Sequence, residues 1–89
     1  DLTGADLSGA NLFKADLSHA TLAKARMVGT DLRNSELIQT DLSGANLSGA
    51  RLDKADLNGA NFTGVLGRRE IKGLDQARNR DKAIFDASH

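Results

Sequence analysis

The sequence of 89 residues contains no cysteine, no proline, no tryptophan and no tyrosine. Without cysteine the chain has no disulfide framework, no thiol nucleophile and no cysteine-based zinc site, and the redox compartment stays open. No apolar run approaches the roughly 18 residues of a membrane-spanning helix, and no signal peptide is visible. The 12 basic and 12 acidic residues cancel, so the net charge gives no reason to expect broad capture of nucleic acid or anionic lipid.

What the sequence does have is a large apolar residue at every fifth position. The series has thirteen centres: Leu2, Leu7, Leu12, Leu17, Leu22, Met27, Leu32, Leu37, Leu42, Leu47, Leu52, Leu57 and Phe62. A small residue, mostly alanine, stands two positions before each centre from the second onward, and Asp or Asn usually lies between them, so the consensus is A-(D/N)-L-S-G. A period of five fits neither an α-helix nor a flat strand, so the chain must turn between one centre and the next.

Each pentad can be interpreted as one short extended side and one corner. In extended chain the small residue and the leucine point to the same side, where both can face an interior. The next two residues, which include Gly in seven of the thirteen units, are typical of turns. If every corner turns the same way, the coils stack and pair their backbones at about 4.8 Å. The pattern therefore predicts an all-β solenoid filled with leucine.

The run from Asp1 to about Val65 resembles the pentapeptide repeat family in its A-(D/N)-L-x-x units. The resemblance implies a right-handed quadrilateral β-helix, here of about three coils, over residues 1–65. Composition alone would also permit three sides, but twenty residues per coil would stack Asp6 by Arg26 and Asp31 by Arg51. The family is abundant in cyanobacteria and thylakoid lumens, so those settings, or a bacterial cytoplasm or periplasm, are expectations from the resemblance alone.

Both ends of such a stack need covering. Residues 66–89 lose the pentad, and their apolar spacing predicts a short C-terminal α-helical cap over about Leu74 to Phe85. An alternative interpretation takes residues 83–85 as a detached pentad, with Ala83 and Phe85 facing inward. At the other end no cap precedes Leu2, so we expect that end to pair with another copy of the chain or to have lost a cap.

The residues that could carry catalysis do not form a constellation. His19 lies at a predicted corner, the second histidine is His89, and no serine has a histidine placed to activate it. The segment 44–49 resembles a phosphate loop only in its glycines, because it lacks the Lys-Ser/Thr pair and the opening helix. We therefore predict no catalytic, metal-binding or cofactor-binding residues, no cofactor, and a protein that is not an enzyme.

Two sets of residues depart from the plain repeat. At twenty residues per coil, Asp16, Glu36 and Asp56 would stack on one side as an acidic stripe for a basic protein partner or a cation. The alternative is that Asp is simply the commonest residue at this position. The second set replaces inward Ala by hydroxyl residues that must find backbone carbonyls or water when buried: Thr30, Ser35 and Thr40.

These observations favour a non-enzymatic protein-binding or scaffold module that presents the flat faces of a rigid rod. The basic residues of the tail alternate with acidic ones and lack aromatic stacking platforms, so we expect no direct binding of nucleic acid. The family resemblance also implies an alternative, a DNA mimic that binds a type II topoisomerase such as gyrase. A neutral rod of about three coils is short for that role.

Overall fold

The computed structural model describes residues 1–86, which wind into a stack of four-sided coils. Each side is too short to form an extended strand and instead makes isolated parallel bridges, such as Asp6 to Arg26 and Asp16 to Glu36. Because bridged residues in the pentads lie twenty positions apart, the predicted twenty-residue coil is confirmed. The first, second and third coils comprise residues 2–21, 22–41 and 42–61.

Every pentad ends in a tight turn with one residue in the left-handed conformation. In the first turn the Ala5 amide donates to the Leu2 carbonyl at 2.9 Å, and Gly4 has φ 73°. Positive φ at the third residue is typical of a type II turn and favours glycine. All thirteen pentad corners share it, seven through glycine and six through Lys14, His19, Lys24, Asn34, Gln39 and Lys54.

The Asp and Asn residues between each small residue and its leucine close the same corners. The Oδ1 atom of Asp6 accepts a hydrogen bond from the Ser8 amide at 3.1 Å, and that of Asn61 accepts one from Thr63 at 2.9 Å. The bond recurs in every pentad that has Asp or Asn at this position: 1, 6, 11, 16, 31, 41, 46, 56 and 61. The D/N preference is therefore local turn chemistry.

The interior is packed with the centres of the second and third coils and with Phe62, all of them fully buried, from Leu22 onward. The three inward hydroxyls are satisfied as expected. Thr30 and Thr40 donate to the carbonyls of Leu7 and Leu17 in the coil below, each at 2.8 Å. Ser35 donates to the carbonyl of Leu32 within its own turn at 2.7 Å.

The first coil is less well covered. Its centres are only partly buried, and Leu2 is 37% exposed, because no coil packs on their outer side in the described residues. The pairing of this end with another copy stays a prediction.

Residues 62–86 form a fourth coil, so the predicted α-helical cap over residues 74–85 is wrong. The bridges continue from Arg51 to Lys72, from Asp56 to Arg78 and from Asn61 to Ile84, with separations that grow to 21, 22 and 23 positions. Each side here has six residues, and the corners are 3₁₀ turns: Arg68–Glu70, Leu74–Gln76 and Arg80–Lys82. Residues 87–89 of the predicted capping segment lie outside the described residues.

Left-handed residues explain why this segment does not form an α-helix. Gly67, Gly73 and Asn79 each precede a 3₁₀ turn with φ between 57° and 74°, and a left-handed residue cannot continue a right-handed helix. The alternative interpretation of residues 83–85 predicts correctly which of these side chains point inward. Ala83 and Phe85 pack against the core, whereas Ile84 is 52% exposed.

Aromatic stacking closes this end of the core. The Phe85 ring lies on the buried Phe62 ring with centroids 5.0 Å apart and planes 17° from parallel. The Arg68 guanidinium covers the Phe85 ring at 4.5 Å. The Asp86 carboxylate accepts from the Gly64 amide at 3.0 Å, at a position where lower coils use a backbone carbonyl.

Candidate functional site

The acidic residues singled out from the sequence lie in one column. Asp16 is bridged to Glu36, and Glu36 to Asp56, so the three occupy the same side in successive coils, with their backbones at about the 4.8 Å spacing of paired strands. Asp16 and Glu36 are exposed and Asp56 is half-buried. We call this column the acidic face.

The three carboxylates are not equivalent. The Asp16 Oδ1 atom accepts from the Ser18 amide at 3.0 Å, and this bond lowers the pKa of Asp16. The Asp56 Oδ1 atom accepts from the Asn79 side chain at 2.8 Å and from the Asn58 amide at 3.1 Å; the Asn79 bond is the main cause of its lowered pKa. Glu36 makes no such side-chain bond within the described residues, so turn chemistry accounts for the two aspartates but not for Glu36.

A basic residue of the fourth coil borders the acidic face. Arg78 is bridged to Asp56, and its Nε atom donates to the Lys54 carbonyl at 3.0 Å. The positive charges of Arg78 and Lys82 also contribute to the lowered pKa of Asp56. Sequence reasoning missed this neighbour because the segment was predicted to be helical. The six-residue spacing of Gly67, Gly73 and Asn79 is the signal that could have found it.

Two of the other three faces mix their charges, and the third, with Thr21, Asp41 and Asn61 in register, carries one charge in the bridged column. Asp6 lies 4.0 Å from Arg26 in the next coil. Asp31 binds Arg33 of its own unit through two bonds, at 2.9 and 2.8 Å, and is bridged to Arg51. Within residues 1–86, only the acidic face presents three like charges in register.

The described residues contain no cluster of metal-ligating side chains. Within residues 1–86 no group of three His, Cys, Asp or Glu side chains could hold a metal ion, which includes the acidic face. His19 is an exposed corner residue with φ 66°, and His89 lies outside the described part. No helix in that part is long and apolar enough to cross a bilayer.

Comparison with known proteins gives a consistent result. The model of the family described as pentapeptide repeats matches eight copies, over residues 1–37 and 25–64. A pentapeptide repeat protein from the thylakoid lumen of Arabidopsis thaliana is 40% identical, with a TM-score of 0.71, over 73% of this chain and 45% of that one. One from Nostoc is 31% identical, with a TM-score of 0.79, over 98% of this chain and 75% of that one. No curated protein matches the chain significantly.

A third structure extends the likeness at lower identity. QnrB1, a plasmid-mediated fluoroquinolone resistance protein, is 21% identical, with a TM-score of 0.73, over 96% of this chain and 39% of that one. At this identity the likeness concerns the fold alone. The chain spans less than half the length of the Arabidopsis protein and of QnrB1. The repeat match over residues 1–64 and the four-sided coils agree: the chain belongs to the pentapeptide repeat family.

Proposed function

We propose that this chain is a non-enzymatic protein-binding module whose acidic face contacts a basic partner. The observation that carries the proposal is the register of Asp16, Glu36 and Asp56 across three successive coils. Like charges on adjacent rungs repel one another, and a partner with complementary positive charge relieves that repulsion. Salt screens exposed charges, so we expect the interaction to weaken as ionic strength rises.

Glu36 supports the proposal more strongly than its neighbours do. Asp at positions 16 and 56 has a local role as a turn acceptor, which Asn would fill equally well. Glu36 lacks that role in the described structure, and its longer side chain carries its carboxylate further from the backbone. Its charge is therefore available to a partner.

The backbone holds the acidic face rigidly. The Glu36 amide donates to the Ala15 carbonyl at 2.9 Å, and its carbonyl accepts from the Leu17 amide at 2.9 Å. On the opposite edge the Leu37 amide donates to the Asp56 carbonyl at 2.8 Å. A surface that is ordered before binding loses less conformational entropy when the partner arrives.

The test is to remove the charges while keeping the turns. The triple variant Asp16→Asn, Glu36→Gln and Asp56→Asn preserves the Oδ1 acceptors at both aspartates. The matched control, Asp6→Asn with Asp41→Asn, removes charge from two other faces. Native and variant chains are used for affinity capture from a lysate of the source cells, and captured proteins are identified by mass spectrometry. A partner held by the native chain and the control but lost by the triple variant supports the proposal. Identical captures by all three contradict the role of the acidic face.

The DNA-mimic alternative requires the acidic face to reproduce the dense, extended negative charge of duplex DNA. Three carboxylates at about 4.8 Å span only about 10 Å along the rod. Duplex DNA carries a charge about every 1.7 Å over its length. Capture of gyrase subunits by the native chain and their loss with the triple variant would favour this alternative.

A further inference from the structure

A groove of about 710 Å³ lies along a corner away from the acidic face and is lined by residues of the second, third and fourth coils. We call Gly29 and Gly49 the floor of the groove; Val28, Ser48 and residues 69–72 of the fourth coil also line it. The amides of both glycines are already used, since Gly29 donates to the Ser48 carbonyl at 2.9 Å and Gly49 to the Glu70 carbonyl at 3.1 Å. A ligand would therefore be recognised by side chains on the groove wall and rim.

The backbone conformation of the groove floor does not by itself require glycine. Left-handed corner residues that lie twenty positions apart stack in a column. In the described structure one such column of pentad corners consists entirely of glycine, with φ between 69° and 72°: Gly9, Gly29 and Gly49. The other columns carry lysine, histidine, asparagine or glutamine at the same left-handed positions. A Cβ atom at Gly29 would have no heavy atom within 4 Å. The absence of side chains here leaves open a space that other corners fill.

The wall of the groove is apolar and its rim is charged. Val28, which is 36% exposed, and Ile71 give the groove an apolar wall. Arg69 and Lys72 lie on the rim with Glu70, which leaves one net positive charge there. Arg51, bridged to Lys72, brings a further positive charge to the neighbouring rung.

We propose that this groove binds an acidic peptide segment carrying an aliphatic side chain. The aliphatic side chain would lie against Val28 and Ile71, where both surfaces lose contact with water. A carboxylate of the peptide would pair with Arg69 and Lys72 through charge-assisted hydrogen bonds. The bare floor admits the peptide backbone. This partner has the opposite charge to the one proposed for the acidic face, so either proposal can fail without the other.

The binding chemistry is tested with three fluorescein-labelled octapeptides by fluorescence anisotropy on the full chain. The first alternates Asp or Glu with Leu or Val, the second replaces every acid by Lys, and the third replaces every aliphatic residue by Ser. We expect saturable binding of the first peptide and affinities at least about tenfold weaker for the other two. Absence of binding by the first peptide, or equal binding of the Lys or the Ser peptide, would overturn the proposal.

Two matched variants locate the site. Gly29→Gln places a neutral side chain in the groove, in a conformation that Gln39 already adopts. Gly4→Gln is the control, because Gly4 has φ 73°, equally open space and a position at another corner. We expect about a tenfold loss of peptide affinity for Gly29→Gln and none for Gly4→Gln, with thermal unfolding confirming that both fold. Unchanged binding by Gly29→Gln, or equal loss in both, would overturn the assignment. The acidic-face triple variant should bind the peptide like the native chain.

Discussion

The pentad coils and the fourth coil share one ladder of bridges but build their corners differently. In a pentad the left-handed residue comes two positions after the inward leucine, as Gly49 follows Leu47. In the fourth coil it comes directly after the bridged residue, as Gly67 follows Leu66, and a 3₁₀ turn then adds one residue to the side. The backbone pairing therefore tolerates two repeat lengths, and the place of the left-handed residue decides which one forms.

The interiors of the two regions differ more than their backbones. Leucines fill the pentad coils, whereas Gly67, Gly73 and Asn79 occupy the equivalent positions in the fourth coil and contribute little apolar volume. Its inward residues include Ala77 and Ala83, and none of the fourth coil's residues after Phe62 is fully buried. The backbone bridges continue into the fourth coil, whereas the buried apolar volume decreases. The free energy of unfolding should therefore respond differently to mutations in the two regions.

The largest contrast is expected between the two stacked rings. Phe62→Ala removes a fully buried side chain and should lower the free energy of unfolding by about 3–5 kcal/mol. Phe85→Ala removes a half-buried ring and should cost roughly half as much. Urea unfolding followed by circular dichroism measures both. Equal losses would show that the irregular part of the fourth coil is packed as tightly as the last pentad, which Phe62 centres.

Glycines of the two regions should also differ. A Cβ atom at Gly67 would overlap Ser48, with its backbone Cα only 2.8 Å away, whereas a Cβ atom at Gly9 meets nothing within 4 Å. Gly67→Ala should cost about 3 kcal/mol through overlap and left-handed strain together, and Gly9→Ala about 1 kcal/mol through strain alone. Thermal unfolding of both variants provides the measurement. A Gly67→Ala chain as stable as Gly9→Ala would mean that the crossing over Ser48 is not close in solution.

Acid should act chiefly on the pentad coils. Hydrogen bonds lower the pKa of five carboxyl groups below the ordinary value of 3.8: Asp6, Asp16, Asp31, Asp41 and Asp56. Their stabilising contribution is complete above that ordinary value and is lost as the pH falls through the lowered values of the folded state. We therefore expect the melting temperature to fall below about pH 4.

The Asp41→Asn variant sharpens this test. At Asp41 the Ser43 hydroxyl and then its amide lower the pKa, and Asn keeps the acceptor, as Asn46 does for Ser48 at 3.1 Å. Its melting temperature should depend less steeply on pH between about 2 and 5 than that of the native chain. Identical pH profiles would show that the Asp41 carboxylate does not contribute to the loss of stability in acid.

The smallest expected change in the free energy of unfolding is at the corners that lack glycine. Lys54→Gly relieves the left-handed strain of a long side chain at φ 61° and should raise the free energy of unfolding by about 0.5 kcal/mol. Asn34→Gly is the matched control at φ 58°, where little gain is expected because Asn tolerates this conformation well. Chemical denaturation of the pair gives the difference. A destabilised Lys54→Gly chain would show that lysine packing outweighs the strain.

Sequence reasoning succeeded where one unit determines its own geometry. The period of five predicts sides and corners because each pentad must turn locally, and the hydroxyl of Thr30 finds a carbonyl because burial leaves it no other partner. The same reasoning missed that the Oδ1 atom of Asp or Asn is a turn acceptor in all nine pentads that have one of these residues before the centre. That bond depends on the corner geometry, which the spacing of apolar residues does not reveal.

The fourth coil was mispredicted because its apolar residues are ambiguous. Leu74, Ala77 and Phe85 fit a helical period, but Val65, Ile71, Ala77 and Ala83 also recur every six residues. The coil below favours the six-residue period, since it offers bridge partners at Arg51, Asp56 and Asn61. The stacking of Asp16, Glu36 and Asp56 could be predicted because these residues lie within the regular pentads, whereas the place of Arg78 depends on the irregular segment. The role of the acidic face in binding stays a prediction.

The direction of the bridges has a mechanical consequence. Because every bridge joins one coil to the next, the hydrogen bonds run along the axis of the rod, and a pull along that axis loads them one side at a time. Each pentad coil that opens would release twenty residues, or about 70 Å of extended chain. Tension along this axis would therefore open the stack coil by coil, and the chain would lengthen in steps.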